Sequence, residues 1–142
     1  MILTGQGIRN DKGGSGYFGA PRSKTVNGVK VSYKHEGTDF VCMPGQVIKM
    51  PVTGKVARLA YPYPDKSYGG VVIESKRATL KIFYVKPYDG VVGMVLKLGD
   101  PIGTAQDVSL RYPGQGVTPH IHVQVETCDP EIFLKNVEEA HS

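Results

Sequence analysis

Apolar and polar residues alternate with period two along most of the chain beyond residue 28, which predicts strands that bury one face. Val29-Lys30-Val31-Ser32-Tyr33, Gly54-Lys55-Val56-Ala57-Arg58-Leu59-Ala60-Tyr61 and His120 to Thr127 alternate most regularly. Asp39-Phe40-Val41-Cys42 and Gln46-Val47-Ile48-Lys49-Met50, the latter closed by Pro51, are shorter strands. Gly70-Val71-Val72-Ile73-Glu74-Ser75 and Thr79-Leu80-Lys81-Ile82-Phe83-Tyr84-Val85 read as a hairpin across Lys76-Arg77-Ala78. Val95-Leu96-Lys97-Leu98 and Ile102-Gly103-Thr104-Ala105 flank the turn Gly99-Asp100-Pro101, and 107–118 is a loop. Asp129-Pro130 has the cap and first-turn chemistry of a helix that runs to Ala140. The expectation is a mainly β, single antiparallel β-sheet domain over 1–142. It comprises a loop-rich segment 1–28, a β core 29–128 and a short C-terminal helix 129–142.

Composition agrees with this picture and narrows the function classes. The 18 glycines and 10 prolines suit many turns, and 142 residues suffice for one hydrophobic core. Net charge is 17 − 13 = +4, too small to select an anionic partner. No apolar run approaches a membrane span, and no basic or aromatic stripe marks a nucleic-acid binder. Met1-Ile2-Leu3-Thr4-Gly5-Gln6 does not open a secretory signal. Cys42 and Cys128 form no C-x-x-C pair, so two reduced thiols are expected.

Three of the four histidines fall in two compact motifs, His35-Glu36-Gly37-Thr38-Asp39 and His120-Ile121-His122. Residues two apart on a strand share a face, so His120 and His122 project together. Fully extended chain would hold the Cα atoms of His35 and Asp39 about 13 Å apart. Ligation of one ion by both therefore requires a bend, and Gly37 is where a bend is cheapest. Two imidazoles and a carboxylate form a catalytic zinc set with one position open to water. Each motif alone is commoner as chance, an exposed pair or a solvated surface; together, in a chain without a thiolate alternative, they point to a metal site. The run Gly13-Gly14-Ser15-Gly16 lacks the ending of a phosphate loop, and Glu36 reads as solvated surface. Glu126 and Glu131 have no evident partner, and His141 lies at the chain end. Tyr61, Tyr63, Tyr68 and Tyr112 fall in loops suited equally to flanking a peptide groove and to packing.

The order His-x-Gly-x-Asp, β-rich stretch, His-x-His resembles the lysostaphin/LytM-type zinc metallopeptidases. So do Gly16-Tyr17-Phe18-Gly19-Ala20-Pro21-Arg22 with Asn27-Gly28, Pro44-Gly45-Gln46-Val47-Ile48 and Thr53-Gly54-Lys55-Val56. Tyr68-Gly69-Gly70-Val71-Val72-Ile73, Leu98-Gly99-Asp100-Pro101-Ile102-Gly103 and Thr118-Pro119-His120-Ile121-His122-Val123 extend the likeness over residues 7–128. The resemblance implies zinc held by His35, Asp39 and His122, with His120 as general base beside the attacking water. It also implies a peptide groove and hydrolysis of peptide bonds in peptidoglycan.

One position departs from the pattern. Active members usually carry a histidine where Phe83-Tyr84-Val85-Lys86-Pro87 has Lys86. The same stretch, with Ile8-Arg9, Tyr112-Pro113-Gly114 and a cysteine after the His-x-His strand, resembles the leukocyte-derived chemotaxin branch of the fold. That branch keeps zinc and is regarded as non-peptidase. Two readings therefore stand: a zinc endopeptidase acting on cell-wall peptide, and a zinc-stabilised module that binds a protein partner without catalysis. The branch's disulfides are not reproduced, because Thr79 stands where the partner of Cys128 is expected. Without a signal peptide, a wall-acting domain made in the cytoplasm needs another route to its substrate. A phage tail, association with other virion proteins, or release at lysis is the expectation.

Overall fold

The alternating segments pair antiparallel throughout the computed structural model, which describes residues 7–11, 14–16, 21–26, 29–34, 37–76 and 78–125. β1 (Asn10–Asp11) pairs with β2 (Gly14–Ser15), and β3 (Pro21–Val26) with β4 (Val29–Lys34). Next come β5 (Thr38–Val41), β6 (Val47–Lys49), β7 (Gly54–Ala60), β8 (Gly70–Glu74) and β9 (Thr79–Phe83). β10 (Val85–Pro87), β11 (Val95–Leu96), β12 (Pro101–Ala105) and β13 (His120–Val125) complete the set, with a 3-10 turn over Val108–Arg111. A six-stranded sheet runs β11-β7-β8-β9-β13-β5, and a three-stranded sheet runs β10-β12-β6. The expected C-terminal helix lies outside the described residues. β3 occupies a stretch expected to be looped: its sequence, PRSKTV, lacks apolar alternation, and its partner is the adjacent β4.

One strand expected to be continuous is two. Tyr84 has φ +71°, a left-handed conformation uncommon for a side chain of this size. It ends β9 in one sheet and starts β10 in the other. The amides of Tyr84 and Val85 both donate to the Gly69 carbonyl, at 2.8 and 3.2 Å, and hold this corner.

Both sheets contribute to one buried apolar cluster. Ile73, Leu80, Ile82 and Ile121 of the large sheet and Ile48 and Ile102 of the small one are fully buried within it. Burying each such side chain is worth about 1.5–3 kcal/mol, so register is strongly specified. Ile121, Val123 and Val125 of β13 face this core. Period two then sends His120, His122 and Gln124 to the opposite face.

β5 obeys the same parity. Phe40 joins the core, and Thr38, directly opposite Val123, is fully buried. The Thr38 hydroxyl has no hydrogen-bond partner among the described residues. A buried hydroxyl left unpaired costs about 1–3 kcal/mol. Thr38→Val, which keeps the shape and removes that hydroxyl, is expected to stabilise the fold by about 1 kcal/mol in a urea titration. A lower denaturation midpoint in the variant would show that the hydroxyl is satisfied.

Candidate active site on β5 and β13

The β5–β13 register sets Asp39 directly opposite His122, and Val41 opposite His120. On its other side His122 pairs with Phe83 of β9, and the two rings stack with centroids 6.0 Å apart and planes 12° from parallel. The carboxylate of Asp39 is buried. Its Oδ1 lies 2.8 Å from His122 Nδ1, its Oδ2 accepts from Arg9 Nε at 3.1 Å, and His120 Nε2 stands 3.5 Å from Oδ2. Three of the sequence-predicted site residues thus meet in one cluster. His35 and Glu36, like Glu126, Glu131 and His141, lie outside the described residues.

The ring of His122 has a second partner, Gln124 Oε1, at 3.2 Å from Nε2. With the Nε2 proton donated there, Nδ1 presents a lone pair to Asp39 Oδ1. At 2.8 Å from Oδ1, Nδ1 can equally donate a hydrogen bond to the carboxylate in the other tautomer; in the tautomer described here its lone pair can take a cation together with Oδ1. A metal-binding imidazole characteristically donates its other N–H to an acceptor such as this amide oxygen. Gly37 closes the cradle: a Cβ there would lie 2.6 Å from His122 Nε2 and 2.4 Å from the Val123 carbonyl oxygen. Glycine is therefore required at position 37 by close approach. Carboxylate oxygen and imidazole nitrogen are zinc donors, so the residues present fit that metal. Among the described residues no group of three or more His, Cys, Asp and Glu side chains is arranged to hold an ion; the third predicted ligand is His35.

His120 is oriented differently. Its Nδ1–H donates to the Thr118 carbonyl at 2.6 Å, which leaves the lone pair on Nε2, the atom turned toward Asp39. Burial lowers its pKa, against the opposing pull of the Asp39 charge, and favours the neutral ring. The ring of Tyr84 stands edge-on to it, with centroids 5.5 Å apart.

Tyr84 belongs to an aromatic wall that the loops assemble beside His120. The Tyr63 hydroxyl bridges those of Tyr84 and Tyr112, at 3.0 and 2.6 Å, and the Tyr68 hydroxyl donates to the Asp107 carbonyl at 2.9 Å. Arg111 lies 3.6 Å above the Tyr63 ring and is paired with Asp65 at 2.9 Å. Burial raises the Tyr63 pKa and pushes that of Tyr84 up to about 12, so these phenols are proton donors rather than bases. Tyr61, also expected near a groove, is exposed and lies 5.2 Å from the Lys66 ammonium.

Lys86 is exposed on β10, opposite Thr104 in the small sheet. Cys42 is a buried free thiol, its pKa raised to about 11 by burial and by the charge of Asp107; Cys128 lies outside the described residues. Gln124 was legible in principle, two residues beyond His122 on the same face. The roles of Phe83 and Tyr84 were not, because they depend on strand pairing and on a corner.

No protein-family model matches the sequence. Over 129 residues it is 31% identical to leukocyte cell-derived chemotaxin-2 of Mus musculus, covering 87% of this chain and 76% of that protein. The chain belongs to the lysostaphin/LytM-type family, in its leukocyte cell-derived chemotaxin branch. The structure superposes on the catalytic domain of the antimicrobial peptidase lysostaphin from Staphylococcus simulans with a TM-score of 0.58 and 26% identity, covering 86% of this chain and 90% of that one. LytU superposes with a TM-score of 0.64 over 99% of this chain and 92% of that one; at 20% identity this likeness concerns the fold. No helix among the described residues is long and apolar enough to cross a membrane.

Proposed function

We propose that this domain is a zinc-dependent endopeptidase that hydrolyses peptide bonds in the peptide part of bacterial peptidoglycan. The fixed tautomer of His120, with its acceptor nitrogen turned toward the Asp39–His122 pair, is the observation that carries the reading. His35, Asp39 and His122 would hold the zinc. When bound, zinc supplies Lewis acidity for the scissile carbonyl and acidifies water. His120 Nε2 takes the proton of the attacking water and returns it to the leaving nitrogen as the C–N bond breaks. The Thr118 carbonyl keeps the ring in register through both transfers. Gln124, Phe83 and Gly37 hold His122 in place, and the tyrosine wall offers phenolic donors to the bound peptide. Lys86, the position shared with the branch regarded as non-peptidase, is exposed and has no lone pair while charged; the hydrolytic reading therefore stands on His120 alone as proton carrier, with partner binding without catalysis as the outcome if no amine is released.

The test is release of free amines from purified peptidoglycan sacculi. Zinc-loaded protein is expected to release them, chelated protein to stop, and re-addition of zinc to restore release. Absence of release by the zinc-loaded protein would overturn the hydrolytic reading; release that survives chelation would overturn the role of the metal.

A further inference from the structure

Residues 7–9 and 16 line the strand that carries Asp39. Ile8 bridges to Phe40, and the Val41 amide donates to the Gly7 carbonyl at 2.8 Å. The Arg9 amide donates to the Asp39 carbonyl at 2.8 Å, and the Asp39 amide donates to the Gly16 carbonyl at 2.7 Å. Gly16 in turn donates to the Arg9 carbonyl at 2.7 Å. Both backbone polar groups of Asp39 are therefore taken by this segment. The fit has no slack: a Cβ on Gly16 would lie 2.7 Å from Asp39 Cβ and 2.9 Å from Arg9 Cβ.

From this segment Arg9 turns its side chain inward. The residue is 4% exposed, and its Nε donates to Asp39 Oδ2 at 3.1 Å. Burying a guanidinium is costly unless it meets a buried counter-charge. Among the described residues its counter-charge is the carboxylate whose other oxygen faces His122. Arg9 thus engages one oxygen of Asp39 and leaves Oδ1 directed at the neighbouring imidazole.

We propose that Arg9 is a positioning residue for Asp39: by holding Oδ2, it keeps Oδ1 turned toward His122, the arrangement in which Asp39 and His122 would hold zinc. The inference rests on the reading of Asp39 as a ligand. Two effects of a nearby guanidinium oppose each other. Its charge repels a dication, whereas its hydrogen bond orients the carboxylate and removes the freedom that ligation would otherwise have to freeze. Hydrogen-bonding partners of metal ligands typically contribute 10–100-fold to affinity. The close approach of Gly16 to both Asp39 and Arg9 leaves the pair little room to shift, which makes orientation the larger effect.

The experiment is zinc competition against a chromophoric chelator, with full-length wild type, Arg9→Met, Arg9→Lys and Asp39→Asn. The visible absorption of each cobalt-loaded protein reports coordination, and circular dichroism reports folding. Arg9→Met is expected to bind zinc about 10–100-fold more weakly and to show an altered cobalt spectrum. Arg9→Lys keeps charge without the planar fork and is expected to fall between. Unchanged or tighter zinc binding by folded Arg9→Met would overturn the proposal while leaving the proposed function standing. If Arg9→Met is unfolded, Arg9→Lys decides, and wild-type affinity and spectrum there overturn it. Absence of zinc binding by wild type, or wild-type affinity in Asp39→Asn, would overturn both readings.

Discussion

His120→Ala is expected to lower the rate of amine release from sacculi by about 10²–10⁴-fold, the usual contribution of a positioned general acid–base, and to leave zinc bound. The separation follows from geometry. His122 and Asp39 face each other with donor atoms 2.8 Å apart, whereas the Nε2 of His120 stands further off, 3.5 Å from the other carboxylate oxygen. His120→Asn is the sharper variant, since its amide retains a donor for the Thr118 carbonyl and less packing is lost. It is expected to lose the same factor in rate, because an amide nitrogen accepts no proton. Metal analysis alongside the rate assay checks both halves: loss of zinc in His120→Asn would make this ring a ligand, and an unchanged rate would remove it from the proton path.

Gly37→Ala is expected to damage both the fold and the site. The added methyl meets a backbone oxygen 2.4 Å away, which cannot move without displacing β13, as well as the ring of His122. Overpacking of a rigid site typically costs about 1–3 kcal/mol, and the backbone partner here places the cost at the upper end. Urea denaturation of the zinc-free protein measures that loss directly. Zinc affinity should fall as well, since relief of the clash moves the imidazole off its Gln124 and Asp39 partners. A variant as stable as wild type would show that the bend at position 37 relaxes freely.

The different fates of the sequence expectations have physical causes. The strands of the core were legible because burial of one face imposes period two, and His120 and His122 were placed together by that period alone. β3 was not legible, because strand pairing without apolar alternation leaves no mark in hydropathy. The break at Tyr84 was hidden because Ile82, Phe83 and Val85 are good strand residues on both sides of it; a backbone angle, not a composition, ends the strand. Arg9 was visible only as part of a resemblance. A single cation 30 positions from its carboxylate has no local signature.

The sequence by itself determined that the chain would be antiparallel β, that β13 would turn its two histidines to the face away from the core, and which residue types were available as zinc donors. It also determined the family. Only the tertiary structure decided that Asp39 lies across from His122, that Arg9 and Gln124 take up the outer atoms of this pair, and that Thr118 sets the tautomer of His120. The reason is the range of the forces: periodicity is a local consequence of burial, whereas register between distant strands and the direction of a ring nitrogen are set by partners that adjoin only after folding.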